Sequence, residues 1–279
     1  LVLDSNHISD PGALDIASSK HLGNLVQLYM HDNKIGHAGE TALRAMRSRN
    51  LLDKKRNDNN LNLNEQRLDN KDIASLAQYE KLDGIVSLSL RNNHFDYHGV
   101  QELANSPYLK NLTSLNLMSS AVKDKGLILL AESPSLSQLE ILNLENTGIT
   151  SLGILALSQS PHISQLKELN LSNNNLGKKG FRILAESKNF KNLVKLRISG
   201  VSIGDAGFQT IVQSNTLNQL EELEIMGNAI SRKSLDSLLD SKLFSHLKKL
   251  DLRRNTLRDV DLIFLADSPK FQILEALRF

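Results

Sequence analysis

His94 and His98 stand four residues apart, a spacing that on a helix would put two imidazoles on one face, ready for a metal ion. Here they follow the apolar pair Leu88 and Leu90 and fall in a loop, with no third ligand obvious, so they read as exposed loop histidines. Gly177-Lys178-Lys179-Gly180 holds a Gly-Lys pair. A phosphate loop needs G-x-x-x-x-G-K-[ST] between strand and helix, and that motif does not occur. Gly204 and Gly207 (GDAG) read as turn glycines rather than a cofactor loop. Glu221 and Glu222 are sequence neighbours that point to opposite sides of an extended segment, which does not suit a glycosidase carboxylate pair. The serines lack a G-x-S-x-G elbow. With no cysteine in the chain, thiolate metal sites, disulfides and a cysteine nucleophile are excluded together. The expectation is a chain with no catalytic residue, no metal site and no cofactor.

What would position any such residue is a repeat. The stretch LNLSNNNLGKKGFRILAES from Leu169 is preceded at Leu142 by LNLENTGITSLGILALSQS and at Leu115 by LNLMSSAVKDKGLILLAES. Taking the first leucine of each L-x-L pair as anchor gives Leu1, Leu28, Leu61, Leu88, Leu115, Leu142, Leu169, Leu196, Leu223, Leu250 and Leu277, with intervals of 27, 33, then 27 eight times. Apolar residues recur two and seven positions after almost every anchor, as at Leu117 and Val122. Each unit joins two periods: the L-x-L pair alternates as a strand does, and segments such as Gly180 to Ala185 have helical spacing. Ser-Pro at Pro107, Pro134, Pro161 and Pro269 ends the helix, because the residue before proline avoids the helical region. Strands joined through helices in this way run parallel. An asparagine recurs five residues after the anchor, at Asn6, Asn33, Asn93, Asn174, Asn228 and Asn255, where its amide would satisfy buried backbone groups.

Composition agrees with a soluble repeat protein: 40% apolar and 23% charged residues, with Lys plus Arg 33 against 31 for Asp plus Glu. This balance gives no field favouring nucleic acid or an anionic membrane. No apolar run approaches the roughly 18 residues of a membrane span and no signal peptide opens the chain. The absence of cysteine suits a cytoplasmic or other reducing compartment. The chain begins at Leu1, inside a strand, and ends at Phe279, inside another. Repeats are stable only against neighbours, so the natural protein is expected to continue past at least one end or to have that face covered.

The pattern L-x-x-L-x-L-x-x-N-x-I-x-x-x-G-x-x-x-L-A resembles the leucine-rich repeat family, in its ribonuclease-inhibitor-like subtype with a helix in every unit. Gly12-Ala13-Leu14, Gly126 to Ala131 and Gly180 to Ala185 also resemble the GALA-like repeats of effectors that bacterial pathogens secrete into a host cell cytosol. The resemblance implies an α/β leucine-rich repeat solenoid over residues 1–279, a single domain of ten full repeats and a final strand. Spacing implies the same curvature: strands stack about 4.8 Å apart and helices need about 8 to 10 Å, so the strands line the inside of a horseshoe. The interval of 33 places six extra residues near 50–60, at a helix end, where Arg44, Arg47 and Arg49 make a basic stretch that reads as a solvated helix and loop.

Such solenoids bind on the concave face, so the candidate site lies at one, three and four residues after each anchor. The expected partner is another protein, an enzyme whose active site is covered, with no nucleic acid or membrane. The same subtype also implies a GTPase-activating-type regulator or the substrate-recognition part of a ubiquitin-ligase adaptor. The residues expected to touch the partner are Tyr29, His31 and Asp32, then Arg91, Met118 and Glu145, then Arg197, Glu224, Arg253 and Arg254, with Tyr97 and His98 at the loop edge beside Tyr29. Tyrosine and arginine are the types in which interface energy concentrates. The charges near the C-terminal end are expected to compensate one another in large part.

Overall fold

The computed structural model describes residues 1–261, 263 and 269–279. Ten short strands form one sheet in chain order: β1 (Arg56–Asn57), β2 (Asn60–Asn62), β3 (Ser87–Ser89), β4 (Ser114–Asn116), β5 (Ile141–Asn143), β6 (Glu168–Asn170), β7 (Lys195–Arg197), β8 (Glu222–Glu224), β9 (Lys249–Asp251) and β10 (Ala276–Arg278). From β2 onward every pairing is parallel, and it joins anchor to anchor: Leu61 to Leu88, Leu115 to Leu142, Leu250 to Leu277. A repeat of constant length allows no other register, since a slip of one residue would turn every leucine out of the core.

The helices stand behind the strands: α1 (Asp10–Ser18), α2 (His37–Lys55), α3 (Asn70–Ala77), α4 (Tyr97–Asn105), α5 (Lys123–Glu132), α6 (Ser151–Gln159), α7 (Gly177–Glu186), α8 (Gly204–Val212) and α9 (Arg232–Leu239). Each packs on the next. Between the two layers the anchors and their partners, from Leu61 to Leu252, are sealed from solvent and form one continuous core. The helix expected to end before Pro269 falls largely outside the described residues.

The strands are short because the backbone turns away four residues after each anchor. All ten residues at that position have positive φ, from Ser5 (55°) and Asp32 (55°) through Asn146 (52°) and Asn173 (57°) to Arg254 (56°). Only Gly200 and Gly227 are glycines there; a Cβ on Gly200 would collide with the Asn173 amide oxygen of the unit before. The cost of this conformation in the other eight units is about 1 kcal/mol or more each, met by the packing on both sides.

Three ladders of side chains tie each unit to its neighbour. Asn93 donates to Leu63 O (2.9 Å) and Leu90 O (2.7 Å), and its oxygen accepts from Leu68 N–H (3.0 Å); Asn174 does the same in its unit, and Asn228 donates to Ile198 O and accepts from Ile203 N–H. The ladder is interrupted at Val201, as its sequence requires, and there Asn228 of the following unit caps the Val201 N–H at 3.0 Å. The serines before the prolines do more than end helices. Ser106, Ser133 and Ser160 donate to the carbonyls of Ala77, Ala104 and Ala131, the last turn of the preceding helix. A third ladder caps helix N-termini across units: Asp10 accepts from Gly36 and Gly39, Asn70 from Asp96 and Gly99, and Asp124 from Thr150 and Gly153. The motif glycine is what admits these acceptors, since a Cβ on Gly153 would lie 2.7 Å from Asp124 Oδ1.

The N-terminal end departs from the expected lattice. On the strand side the first two units are joined by isolated parallel bridges, Val2 with Tyr29 and Ser9 with Lys34, and these lie outside the ten-stranded sheet. The insertion does not stay at the helix end. It lengthens α2 to 19 residues and then turns back as β1, which pairs antiparallel with β2. Not every strand is therefore parallel, and the row of concave residues is not continuous from Tyr29 to Arg91. The basic stretch is used internally: Arg44 meets Asp69 and Asp72 at 2.9 Å, Arg47 meets Asp72 at 2.7 Å, and Arg49 reaches Ala17 O. Asp72 occupies the place held by glycine in the neighbouring units, and it is buried.

Candidate functional site: the strand face

The sheet from β2 to β10 presents three rows of side chains. Besides the positions one and three after the anchor, the residue just before the anchor faces the same way, because strand side chains alternate. That row was missing from the expected site. It contains Ile141, Glu168, Lys195, Glu222 and Lys249, half-buried or exposed, and alternation counted backwards from the anchor would have found it.

Several polar residues of the face are fixed by the backbone rather than free. Asn116, Asn143 and Asn170 accept from the N–H of Met118, Glu145 and Ser172, each at 3.0 Å, and Asn62 does so from Asn64 at 3.1 Å. These turns hold the chain as it leaves the strand. The recurring asparagine one after the anchor is thus structural, although this position belongs to the expected site.

From β6 to β10 the charges form a connected lattice. Arg197 lies between Glu168 (4.0 Å) and Glu224 (3.0 Å), and Glu222 lies between Lys195 (2.5 Å) and Lys249 (2.6 Å). Hydrogen bonds from Lys195 and Lys249 hold the Glu222 carboxyl below its usual range. Burial alone would raise Asp251, but bonds from Arg253, the nearest at 2.6 Å, bring it below its usual value. Arg278 approaches the same carboxylate at 3.9 Å. The expected self-compensation is present. Arg254 is exposed and makes no ion pair among the described residues.

From β3 to β5 the face is different. Arg91 is exposed, with Glu65 at 3.8 Å; Met118 on the next strand is half-buried; Glu145 beyond it accepts from Asn170 (3.0 Å) and Asn173 (3.1 Å) instead of pairing with a cation. Ile141, at the start of β5, is 37% exposed. Arg91 and Met118 thus stand side by side at corresponding positions of adjacent units, while Ile141 sits beside Ser114 at the opposite end of the strands, next to Glu168 of the charge lattice.

The structure does not bring Tyr29, Tyr97 and His98 into one cluster. Tyr97 and His98 open α4, their rings 4.0 Å apart, with Lys125 Nζ 4.9 Å from the tyrosine ring and His98 Nδ1 3.0 Å from Asp96. Tyr29, His31 and Asp32 line a cleft of about 740 Å³ together with His94, in the place where the strand of Leu28 fails to meet β2. His98 therefore belongs to the first turn of α4 rather than to the loop in which the sequence placed it, while His94 stays in the loop and faces the cleft. Among the described residues no group of three His, Asp or Glu side chains is placed to hold a metal ion.

The parallel strands, the helix in each unit and the asparagine ladder define an α/β leucine-rich repeat solenoid. The sequence profile of the Leucine Rich repeat family matches at residues 108–131, 162–182 and 245–266. Among solved structures, an internalin from Listeria monocytogenes superposes with TM-score 0.52 at 17% identity, over 100% of this chain and 86% of that one. A leucine-rich repeat protein from Leptospira interrogans superposes with TM-score 0.44 at 18% identity, over 95% of this chain and 74% of that one. No curated protein matches the sequence. None of the described helices is long and apolar enough to cross a membrane.

Proposed function

We propose that this chain is a non-catalytic binding module that recognises another protein through its strand face and regulates that partner, an enzyme, by covering its active site. The observation that carries this reading is the patch formed by Arg91 and Met118, each three residues after its anchor on successive units, with an exposed arginine and a half-buried methionine on main chain bonded to neighbouring units. Interface anchors need this combination of a rigid base and an exposed arginine or apolar side chain. The lattice from Glu168 to Arg278 borders the patch and would steer and orient the partner more than hold it. Tyr29, His31 and Asp32, at the cleft edge, and Tyr97 and His98, at the start of α4, would extend the contact. The cysteine-free composition and the GALA-like resemblance support a partner met in a reducing compartment, as by a bacterial effector inside a host cell.

The test is affinity capture of partners from candidate cells by the parent chain and by Arg91→Ala and Met118→Asp, with Arg182→Ala on the helical side as control. A partner retained by the parent and the control, lost by the face variants, and losing enzymatic turnover when bound is the expected outcome. Capture that survives both face variants and fails with Arg182→Ala would move the site to the helices.

A further inference from the structure

The strand layer is broken in one place while the helix layer is not. α1 packs on α2 and α2 on α3, and Arg44 and Arg47 reach forward to Asp69 and Asp72. On the strand side, the segment from Leu28 to Asp32 is bonded only to the unit before it. Tyr29 N–H donates to Leu1 O at 3.0 Å, and Leu3 and Ser5 N–H donate to Tyr29 and His31 O at 2.8 Å. A regular unit also bonds forward, as Leu90 N–H does to Asn116 O (2.9 Å) and Asn92 N–H to Met118 O (2.8 Å). The equivalent donors, the N–H groups of Met30 and Asp32, have no acceptor among the described residues.

β1 fills only the beginning of the vacant strand position, with Arg56 opposite Leu61 and Asn57 opposite Asn60. The part beside Met30 and Asp32 is left as the cleft of about 740 Å³. Leu28, Met30 and Ile35 line it and are only half-buried, whereas their counterparts Leu88, Leu90 and Phe95 are sealed in the core. Arg47 also lines it, and the Arg47 Nε–H is buried without a hydrogen-bond partner.

We propose that this cleft is an acceptor slot for an extended segment of a partner protein, which completes the strand layer by main-chain pairing with Met30 and Asp32. Donors two residues apart on a strand edge match the carbonyl spacing of an extended peptide and of few other ligands. Core positions left half-covered call for apolar side chains at alternate residues of that segment. The orphaned guanidinium donor calls for one further acceptor, a carbonyl or carboxylate. At about 3.3 Å per residue, the edge from Leu28 to Asp32 accommodates four or five residues. The slot lies outside the β2 to β10 face, so it stands or falls independently of the binding proposed there.

The probe is a phage-displayed library of linear seven-residue peptides selected on the full chain, with enriched peptides synthesised blocked at both ends. In the free chain, the Met30 and Asp32 amides should exchange hydrogen on the order of 100-fold faster than those of Leu90 and Leu117. Bound peptide should slow both by about tenfold or more. Leu43→Trp, which fills the cleft from α2, and Met30→Glu, which charges it from the strand, should each weaken peptide binding at least tenfold, while Arg91→Ala should leave it unchanged. Should both cleft variants fail to fold, the exchange measured on the parent decides. The proposal is overturned if the Met30 amide is as protected as Leu90 without peptide, if no peptide is enriched, or if enriched peptides bind both cleft variants as they bind the parent. Protection that rises with protein concentration alone would also overturn it, because the occupant would then be a second copy.

Discussion

Asp124 Oδ1 accepts from the Gly153 N–H at 2.9 Å, so a carboxylate on one helix closes the first turn of the next. It also accepts from Thr150 N–H at 2.8 Å, and its other oxygen accepts from the Thr150 hydroxyl at 2.6 Å. The acceptor is placed where the helix dipole favours negative charge. Asp124→Ala should cost about 1 to 2 kcal/mol, as the loss of a helix cap does. Asp124→Asn should recover part of it, since Asn70 performs the same task for Gly99. Urea denaturation of the three chains checks this.

Asp205 repeats the arrangement with Ser231 and Ser234. Burial alone would raise its carboxyl, but the hydrogen bonds from the two serines prevail and hold it below its usual 3.8. A carboxyl depressed on folding contributes stability that is fully present above its unfolded value and lost as pH falls through the folded one. The parent should therefore lose more stability than Asp205→Asn on acidification below about pH 4, with the two curves parallel above pH 5. Melting temperatures from pH 2 to 7 give the comparison.

Asn174 makes five hydrogen bonds with main-chain groups of two units, at 2.7 to 3.2 Å, and is buried. Replacement by Ala or Leu leaves several N–H and C=O groups without partners, at about 1 to 3 kcal/mol for each group that water cannot reach. Asn174→Leu should destabilise by about 3 kcal/mol or more. The exposed Asn6, by contrast, should tolerate the same change within about 0.5 kcal/mol.

Arg91→Ala on the strand face and Tyr29→Ala at the cleft edge should each weaken partner binding by about 2 kcal/mol, chiefly through faster dissociation. Arg253→Ala should act less and through the association rate, with a salt dependence, because its guanidinium is already committed to Asp251. Surface-based kinetics at two salt concentrations separates the two behaviours.

The strands, their register, the buried leucines and the Asn93 type of ladder were legible because each is repeated at a fixed interval, and repetition survives the noise of a single sequence. The helix caps were harder to see. Asp10, Asn70, Asp124 and Asp205 occur in only some units, and their partners are backbone groups 26 to 29 residues away. The structural use of Asn116 and Asn143 was hidden for a different reason: a side chain that turns back two residues looks, in sequence, like one that faces solvent. The fate of Tyr29 was not legible at all. It hangs on whether six inserted residues lengthen a helix or fold back as a strand, and local propensity leaves both open.

The break beside Leu28 also divides the molecule energetically. In a stack where each unit touches only its neighbours, stability is a sum of unit and junction terms, and melting begins at the weakest junction. That junction here keeps its helix contacts, the pairs of Arg44 and Arg47 with Asp69 and Asp72 and the short antiparallel pairing of β1 with β2, but it lacks the parallel strand hydrogen bonds present at every later joint. The segment from Leu1 to Ile35 is therefore the part expected to open first, since Leu51 and Leu52 of α2 belong to the continuous core. It should fray from the rest at lower denaturant, and sooner in high salt, while the body from β2 onward melts as one.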